Sequence, residues 1–382
     1  MSLFSPPASY LGIDFDSNSV KLVELKNERG RPQLITYGFI DKDVGVFLAE
    51  GEKPENYQGI ANLIKAVCKK AKVTTLKVIA SLPAFSVFSS ILNLPAMSKK
   101  DLASAIKWEA KKVVPLPLEE MILDWKILES EKESSQKTRI EFPKVFNKGE
   151  GGEENVRERS FFKISSPKGD YLRVLLTAAP KELVKRHIDI FRTANLNLMS
   201  LDTESFALVR SLVGNDKSAL IIVDIGSVVT SVIIVEGGIP VLTRSIDIGG
   251  LTITKAIADS LNINLNRAEQ FKYDIGVNLN QTSESSVPKT ITSAISPIID
   301  EIKYSYNLYK NQGQKDVEKI ILTGGSSMLI NLPQHLSSAL NLKVFIGDPW
   351  ARIIYPQDLK PVLDQIGSRF SVAIGLAMRE IS

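Results

Sequence analysis

Two stretches of the sequence place an aspartate and small polar residues between two apolar runs. They are YLGIDFDSNSVKLVEL at residues 10–25 and ALIIVDIGSVVTSVIIVEGG at residues 219–238. Aligning the two stretches pairs Asp14 with Asp224, Asp16 with Gly226 and Ser17 with Ser227. An aspartate at the end of a strand can hold a divalent cation, usually through water, and small residues after it let backbone N–H groups approach a phosphate. Two such turns, one from each lobe of a protein, can hold a polyphosphate from both sides.

Each turn taken alone is also explained as an ordinary β-turn, since Asp-x-Gly-Ser favours turns in any protein. The recurrence of one strand–turn–strand pattern in two distant places is what favours a phosphate site. A third element, LTGGSSMLINLP, sets Gly324 and Gly325 between a buried strand and a helix. Glycines at that point permit positive φ and a close approach of the backbone to a flat ligand such as a nucleoside.

Other chemistries have weaker support in the sequence. His187 and His335 lie in helical patterns without a cysteine or carboxylate at metal-ligand spacing, so we interpret both as packing or surface residues. No Ser/His/Asp arrangement is recognisable. The single cysteine, Cys68, excludes an internal disulfide framework, suits a reducing compartment and flanks an apolar helical stripe, which favours an inert thiol.

The composition is that of a globular protein with more than one core. A chain of 382 residues exceeds the size that one hydrophobic core usually serves, so two or more lobes are expected. The formal net charge of +4 is small, and no dense basic stretch with interleaved aromatics indicates nucleic-acid binding. The N-terminus lacks the pattern of a signal peptide, and no uncharged apolar run approaches the ~18 residues of a membrane span. We therefore expect a cytoplasmic protein whose membrane attachment comes only through a partner.

Hydrophobic periodicity predicts the elements that position the turns. In the first lobe it predicts strands at 10–15, 19–25, 33–40 and 76–82 and a helix at 57–72. In the second lobe it predicts a hairpin at 219–243, two helices within 249–276, a long helix at 288–311, a strand and helix around the Gly-Gly turn, and a closing helix at 368–381. Strands that alternate with crossover helices are typical of α/β lobes.

A separate unit is predicted to start near Pro83. It contains a helix at 98–114 with Ser98 as the N-cap, and Trp108 lies outside the centre of its apolar stripe. We interpret Trp108 as packing on a neighbouring strand, with a contact surface as the alternative. Residues 129–170 contain nine acidic and nine basic residues, so we expect a long, largely disordered insertion whose shortening leaves the fold intact.

The two aspartate turns and the Gly-Gly turn, in this order, resemble the actin-like ATPase superfamily, which includes actin, the heat-shock chaperone ATPases, sugar kinases and FtsA. The resemblance implies an α/β fold of two lobes with ATP and Mg²⁺ in the cleft, two phosphate loops at the aspartate turns and an adenosine loop at Thr323–Ser327. The nucleotide contacts that it implies are Asp14, Ser17, Asn18, Ser19, Lys21, Asp224, Gly226, Ser227, Gly249, Gly250, Glu269, Lys272, Gly324, Gly325 and Ser326, with Asp14 and Asp224 on the metal side.

A finer resemblance is to the PilM family of type IV pilus assembly proteins, relatives of FtsA. It is carried by KWEAKKVVPLPLEEMILDWKIL, LGIDFDSNSVKLVEL, SLPAFSVFSSILNLPAMS and FSVAIGLAMRE, and it covers nearly the whole chain except 129–170. It implies a 1C-type insertion subdomain in lobe 1. The implied division is 1–83, 200–215 and 366–382 for subdomain 1A, 84–199 for 1C, 216–254 and 316–365 for 2A, and 255–315 for 2B.

The resemblance to the PilM family also implies a partner and a location. The expected partner is PilN, a bitopic inner-membrane protein whose short cytoplasmic tail binds in a groove between subdomains 1A and 1C. The chain would then be an ATP-binding scaffold, peripheral on the inner face of the inner membrane, with slow or absent ATP hydrolysis. Self-association stays open, as does the choice among a twitching-motility, competence or secretion pilus.

Asp16 departs from the family pattern, because a glycine usually stands there. A carboxylate beside a phosphate should repel it unless Mg²⁺ offsets the charge, so we expect Asp16→Gly to tighten ATP binding. Alternatively, both carboxylates of the Asp-x-Asp stretch coordinate the metal.

Two other functions stay open on the same fold. One is a sugar or acid kinase with a base such as Asp202. The other is an FtsA-like filament protein, and the end of the chain just after the closing helix counts against it.

Overall fold

The computed structural model of the chain describes residues 8–16, 19–41, 57–128, 171–277, 286–311 and 315–381. The predicted insertion 129–170 and the predicted nucleotide contacts Ser17 and Asn18 lie outside the described residues. The chain divides into two compact units. The first comprises Met1–Ser90, Val114–Leu123 and Thr177–Ser382, and the second comprises Ile91–Val113 and Asp124–Leu176.

The elements follow the predicted α/β pattern. The described strands are β1 (Ser9–Phe15), β2 (Ser19–Glu28), β3 (Arg31–Asp41), β4 (Lys77–Leu82), β5 (Phe88–Pro95), β6 (Met121–Ile127), β7 (Tyr171–Pro180), β8 (Asn197–Thr203), β9 (Leu220–Ile225), β10 (Thr230–Glu236), β11 (Ile239–Ile246), β12 (Lys319–Thr323) and β13 (Lys343–Ile346). The described α-helices are α1 (Tyr57–Lys70), α2 (Lys99–Val113), α3 (Lys181–Thr193), α4 (Glu204–Leu208), α5 (Gly250–Leu261), α6 (Leu265–Ile275), α7 (Ser286–Lys310), α8 (Leu332–Leu340) and α9 (Lys360–Ala377).

Two five-stranded sheets of the first unit share one topology. Their strand orders are β3-β2-β1-β4-β8 and β11-β10-β9-β12-β13, and a third, three-stranded sheet has the order β5-β7-β6. The registers also match, since Asp14 lies opposite Lys21 in the first hairpin and Asp224 lies opposite Ser231 in the second. In each sheet the first strand also pairs in parallel with a later strand, β4 or β12. The sequence repeat therefore corresponds to a repeat of the fold.

Helix α9 packs against both five-stranded sheets. Ala373 and Ile374 share a core with β2, whereas Val372 and Leu376 share another core with β9 and β10. The helix approaches β1 so closely that a Cβ on Gly12 would lie 2.0 Å from the Ala373 carbonyl oxygen. Because eight consecutive residues of this helix, from 370 to 377, are buried, it has no polar face in its second half. Its observed start at Lys360 is eight residues earlier than the predicted start at 368.

The second unit contains the predicted helix α2. Its buried stripe consists of Leu102, Ile106 and Ala110, and the Asp101 amide donates to the Ser98 hydroxyl at 3.3 Å, which confirms Ser98 as the N-cap. The interpretation of Trp108 as a packed residue was wrong. Its side chain is 61% exposed, with the Lys112 ammonium 3.4 Å from the ring centroid, because position 108 faces away from the buried stripe.

The second unit is shorter than the segment 84–199 that the resemblance assigned to subdomain 1C. Helix α3 lies in the first unit, because Ile190 and Phe191 pack into the core of the first sheet, and β8 pairs with β4 in that sheet. The predicted boundary at 366 falls inside helix α9. The division into four subdomains stays a prediction. Within the part of the chain that is described, no helix has both the length and the apolar character required to cross a membrane.

Candidate functional site

Asp14 stands at the end of β1 with two partners that its neighbouring strands supply. The Ser81 hydroxyl on β4 donates to Asp14 Oδ1 at 2.8 Å, and the Lys21 ammonium on β2 lies 3.4 Å from Asp14 Oδ2. Lys21 occupies this position because it is the cross-strand partner of Asp14 in the antiparallel register. The carboxylate is almost fully buried, so it is held in one orientation toward the turn.

Asp16 closes the first turn with its own side chain. Its Oδ1 accepts the Ser19 amide at 2.6 Å, and its Oδ2 accepts the Ser19 hydroxyl at 3.1 Å. The Lys21 ammonium lies 3.6 Å from Asp16 Oδ2, so one lysine serves both carboxylates of the Asp-x-Asp stretch. The residue that departs from the family pattern is therefore engaged within its turn, as aspartates of Asx-turns are.

Lys21 is the cation of the first turn. Burial acts to lower the pKa of its ammonium, but the negative charges of Asp14 and Asp16 outweigh burial, and the pKa is raised above its ordinary value. The lysine therefore stays charged throughout the physiological range. A fixed positive charge beside a turn of small residues is suited to binding a phosphate.

Asp224 occupies the corresponding position in the second sheet, but Ser231 stands opposite it instead of a lysine. Burial and, next, the negative charge of Asp14 raise the pKa of Asp224 to about 7, although Lys21 acts in the opposite direction. The negative charge of Asp14 in the first sheet therefore acts on Asp224 in the second sheet. This mutual repulsion is relieved either by a proton or by a divalent cation.

The start of helix α5 donates two backbone hydrogen bonds to the second turn. The Gly250 amide donates to the Gly226 carbonyl at 2.9 Å, and the Leu251 amide donates to the Ser227 carbonyl at 2.8 Å. These amides are therefore already hydrogen-bonded within the protein. The predicted nucleotide contacts at Gly249 and Gly250 stay predictions, and in the structure these residues support the second aspartate turn.

The Gly-Gly turn touches the second aspartate directly. Gly324 has φ of +85°, and a Cβ there would lie 2.4 Å from Asp224 Oδ1, so only glycine fits. At Gly325 the nearest atom to such a Cβ is Arg369 Cγ, at 3.8 Å, which is ordinary contact. Ser326 and Ser327 are buried, and the Ser327 hydroxyl donates to the Gly324 carbonyl at 2.7 Å. The turn is thus built around Gly324, while Gly325 has room for a Cβ.

Glu269 and Lys272 lie on α6 and are joined by an ion pair. The buried Lys272 ammonium donates to both Glu269 oxygens at 2.7 and 2.8 Å, to the Thr254 hydroxyl at 3.0 Å and to the Gly250 carbonyl at 3.2 Å. Burial lowers the pKa of Lys272, and Glu269 opposes this. The pair fastens α6 to the start of α5, and its predicted contact with a nucleotide stays a prediction.

Glu204 is a site residue that sequence reasoning did not identify. It follows the end of β8, and its Oε2 accepts the Ala84 amide at 2.8 Å. Burial, then the charge of Asp14, and also that of Asp224 raise the pKa of Glu204 well above its ordinary value. Asp202, which the sequence offered as a kinase base, is instead paired with Arg210 at 2.8 Å.

Three carboxyl groups, Asp14, Asp224 and Glu204, therefore interact electrostatically around one lysine. Burial first, and then the negative charge of Asp14, raise the pKa values of Asp224 and Glu204, and a divalent cation would offset that negative charge. Among the described residues, no group of three histidine, cysteine, aspartate or glutamate side chains is arranged to ligate a metal directly. Such a cation would therefore draw ligands from water and phosphate as well.

Comparison with known proteins gives one family and several similar folds. A family model described as type IV pilus assembly protein PilM matches residues 12–141 and 160–381. A solved PilM-PilN type IV pilus biogenesis complex is 25% identical with a TM-score of 0.76, covering 99% of this chain and 100% of that one.

More distant structures share the fold. The ethanolamine utilization protein EutJ of Carboxydothermus hydrogenoformans is 14% identical with a TM-score of 0.52, and the match covers 98% of this chain and 90% of EutJ. MreB5 of Spiroplasma citri bound to AMPPNP is 11% identical with a TM-score of 0.51, and the match covers 97% of this chain and 95% of MreB5. The predicted actin-like ATPase fold is confirmed.

Proposed function

Because the chain belongs to the PilM family of type IV pilus assembly proteins, we propose that it is an ATP-binding scaffold that binds the cytoplasmic tail of a PilN-type membrane protein. The observation that carries this proposal is the family match over residues 12–141 and 160–381. The similarity to the PilM-PilN complex over the full length of both chains supports the same partner. That partner would bring the chain to the inner face of the inner membrane.

The geometry of the two turns supports Mg-ATP as the bound nucleotide. Asp14 and Asp224 would hold Mg²⁺ through water, Lys21 would pair with a phosphate, and the Gly324–Gly325 turn would approach the nucleoside. The bound ion would supply positive charge among the carboxylates of the cleft. MreB5, which shares the fold, was solved with an ATP analogue, in agreement with this assignment.

Nucleotide binding would act on the partner through the arrangement of the lobes rather than through chemistry. A nucleotide that contacts the turns of both sheets stabilises the arrangement in which those turns face each other, so it changes partner affinity only if the partner prefers that arrangement as well. The proposal therefore requires binding, and it does not require turnover.

Hydrolysis is expected to be slow, although Glu204 gives the site one group that could orient a water. Burial and the negative charge of Asp14 raise the pKa of Glu204 well above its ordinary value, which favours the protonated carboxyl group, and a protonated carboxyl is a poor base. Phosphate release by the unchanged protein should be at or near background, and any release should fall in Glu204→Gln. Fast release that Glu204→Gln leaves unaltered would contradict this role.

Isothermal titration tests the proposal directly. The full chain is titrated with Mg-ATP and, separately, with a peptide copying the cytoplasmic tail of PilN, with a scrambled peptide as the control. Saturable binding of ATP and of the native peptide is expected, and Asp224→Ala should abolish ATP binding. Absence of peptide binding with and without nucleotide would overturn the scaffold proposal.

A further inference from the structure

Arg369 on α9 is placed beside the Gly-Gly turn by the backbone of the preceding residue. The Ser368 carbonyl accepts the Gly324 amide at 3.0 Å and the Thr323 hydroxyl at 3.0 Å, which fastens the helix to the turn. The next side chain therefore emerges at the turn, with Arg369 Cγ 3.8 Å from the position of a Cβ on Gly325. Arg369 thus adjoins Gly325, the glycine of this turn that has room for a Cβ.

The guanidinium of Arg369 is held by the carboxylate of Asp41. Its Nη2 lies 2.6 Å from each oxygen of Asp41, and its Cζ lies 4.8 Å from the centre of the Phe39 ring. The two charged side chains are 29% and 37% exposed, respectively. An ion pair of that exposure contributes little to stability, so another anion can replace its acidic member at small cost.

Asp41 and Arg369 also adjoin the first aspartate turn. Asp41 ends β3 opposite Ser19, whose backbone and hydroxyl hold Asp16. The positive charge of Arg369 opposes the raised pKa of Lys21, so the two cations repel each other. The first sheet and its turn supply the carboxylates that neutralise both cations. Asp14 and Asp16 pair with Lys21, and Asp41 pairs with Arg369. Arg369 therefore lies between the first turn and the Gly-Gly turn, where the nucleotide would lie.

We propose that Arg369 binds a phosphate of the nucleotide and that Asp41 is the intramolecular anion that this phosphate displaces. The inference rests on the proposed ATP binding. A guanidinium forms strong charge-assisted hydrogen bonds with phosphate oxygens, and its planar donors suit phosphate better than a point charge does. Asp41 competes with the nucleotide, so removing its charge and removing the arginine have opposite effects on affinity.

Two charge-removing variants test this assignment. Arg369→Gln should weaken Mg-ATP binding about tenfold and leave adenosine binding within about twofold, because adenosine has no phosphate. Asp41→Asn should tighten Mg-ATP about threefold, since a partly exposed competing carboxylate is lost. In the double variant the gain from Asp41→Asn should disappear, because that gain acts through Arg369. Affinities are measured by isothermal titration, and melting temperatures without ligand report on folding.

The outcomes separate this inference from the function on which it rests. If the unchanged chain does not bind Mg-ATP, the proposed function fails. If it binds and Arg369→Gln binds ATP equally well, or loses ATP and adenosine to the same extent, only the phosphate assignment fails. If Arg369→Gln does not fold, Asp41→Asn still tests the proposal. Unaltered or weaker ATP affinity in Asp41→Asn would overturn the role of Asp41 as a competitor of the phosphate.

Discussion

Asp16 combines a negative charge with a hydrogen-bond acceptor, and the two have opposite consequences for a bound phosphate. Its carboxylate lies 3.6 Å from the Lys21 ammonium and therefore competes with a phosphate for that cation. The same carboxylate accepts the Ser19 amide at 2.6 Å and so helps to hold the turn in shape. The choice of the substituted residue separates the two effects.

We expect Asp16→Asn to bind Mg-ATP about three- to tenfold more tightly than the unchanged chain, because asparagine removes the charge and keeps an oxygen for the Ser19 amide. Asp16→Gly also removes the charge but loses the acceptor, so its gain should be smaller. Isothermal titration of the three proteins gives the comparison. Weaker binding in Asp16→Asn would instead favour metal coordination by both carboxylates of the Asp-x-Asp stretch.

Asp224 makes nucleotide binding sensitive to pH. Its pKa of about 7 means that the carboxyl is mostly protonated at pH 6 and mostly ionised at pH 8, whereas binding on the Mg²⁺ side requires the ionised form. The same raised pKa gives the stability of the fold a pH dependence opposite to that of nucleotide binding. Between about pH 4 and 7 the folded chain binds a proton that the unfolded chain has lost, so this group's contribution to stability falls as pH rises.

Mg-ATP affinity should therefore rise about tenfold between pH 6 and pH 8, most steeply near pH 7. Titrations at constant ionic strength measure the rise. Titration of the phosphates themselves contributes to any such profile, and the separately measured proton binding of Mg-ATP in the same buffers corrects for it. A profile that is flat after this correction would contradict the role of Asp224.

At the scale of the elements, the Gly-Gly turn contains two glycines with different requirements. Gly324 must be glycine for the protein's own sake, since its φ is positive and a Cβ would collide with Asp224. Gly325 has room for a Cβ, because only Arg369 comes near, at 3.8 Å. Any need for glycine at 325 must therefore arise from a ligand.

We expect Gly325→Ala to keep the melting temperature of the ligand-free chain within about one degree and to weaken nucleotide binding at least tenfold. Gly325→Val should abolish binding. Gly324→Ala serves as the contrast, because it should destabilise the fold by roughly 1–3 kcal/mol whether or not nucleotide is present. Thermal denaturation measures the stability of each variant, and isothermal titration measures its nucleotide affinity. Unaltered affinity in Gly325→Ala would place the nucleoside elsewhere.

The elements that were predictable from sequence are those with a strong local signal. The places of Asp14, Asp224 and Gly324 in the fold were predictable, because each lies at or just after the end of a buried strand and the two hairpins repeat one pattern. Helix α9 was predicted too short, because its missed first turns contain Pro361 and Gly367, residues that interrupt a helical sequence pattern. Glu204 gave no signal, since its position near Asp14 depends on β8 joining the first sheet through β4, a long-range pairing that no local pattern encodes.

At the scale of the whole first unit, the two sheets are built alike and share helix α9. Both aspartate turns stand at the carboxyl ends of β1 and β9, which is where α/β sheets commonly bind ligands. A nucleotide that touches both turns therefore interacts with both sheets at once. Its binding energy depends on how the sheets face each other, and any partner that depends on the same arrangement must be linked to it.

This linkage predicts a reciprocal effect between nucleotide and partner, which can be measured only by titrating each ligand in the presence of the other. If Mg-ATP raises the affinity of the PilN tail peptide by some factor, the peptide must raise the affinity of Mg-ATP by the same factor, and we expect at least fivefold. Titrations of each ligand with and without saturating amounts of the other measure both factors. Asp224→Ala provides the control, since it should bind the peptide as the nucleotide-free chain does and lose the response to ATP. Equal peptide affinity with and without ATP would mean that nucleotide and partner bind independently.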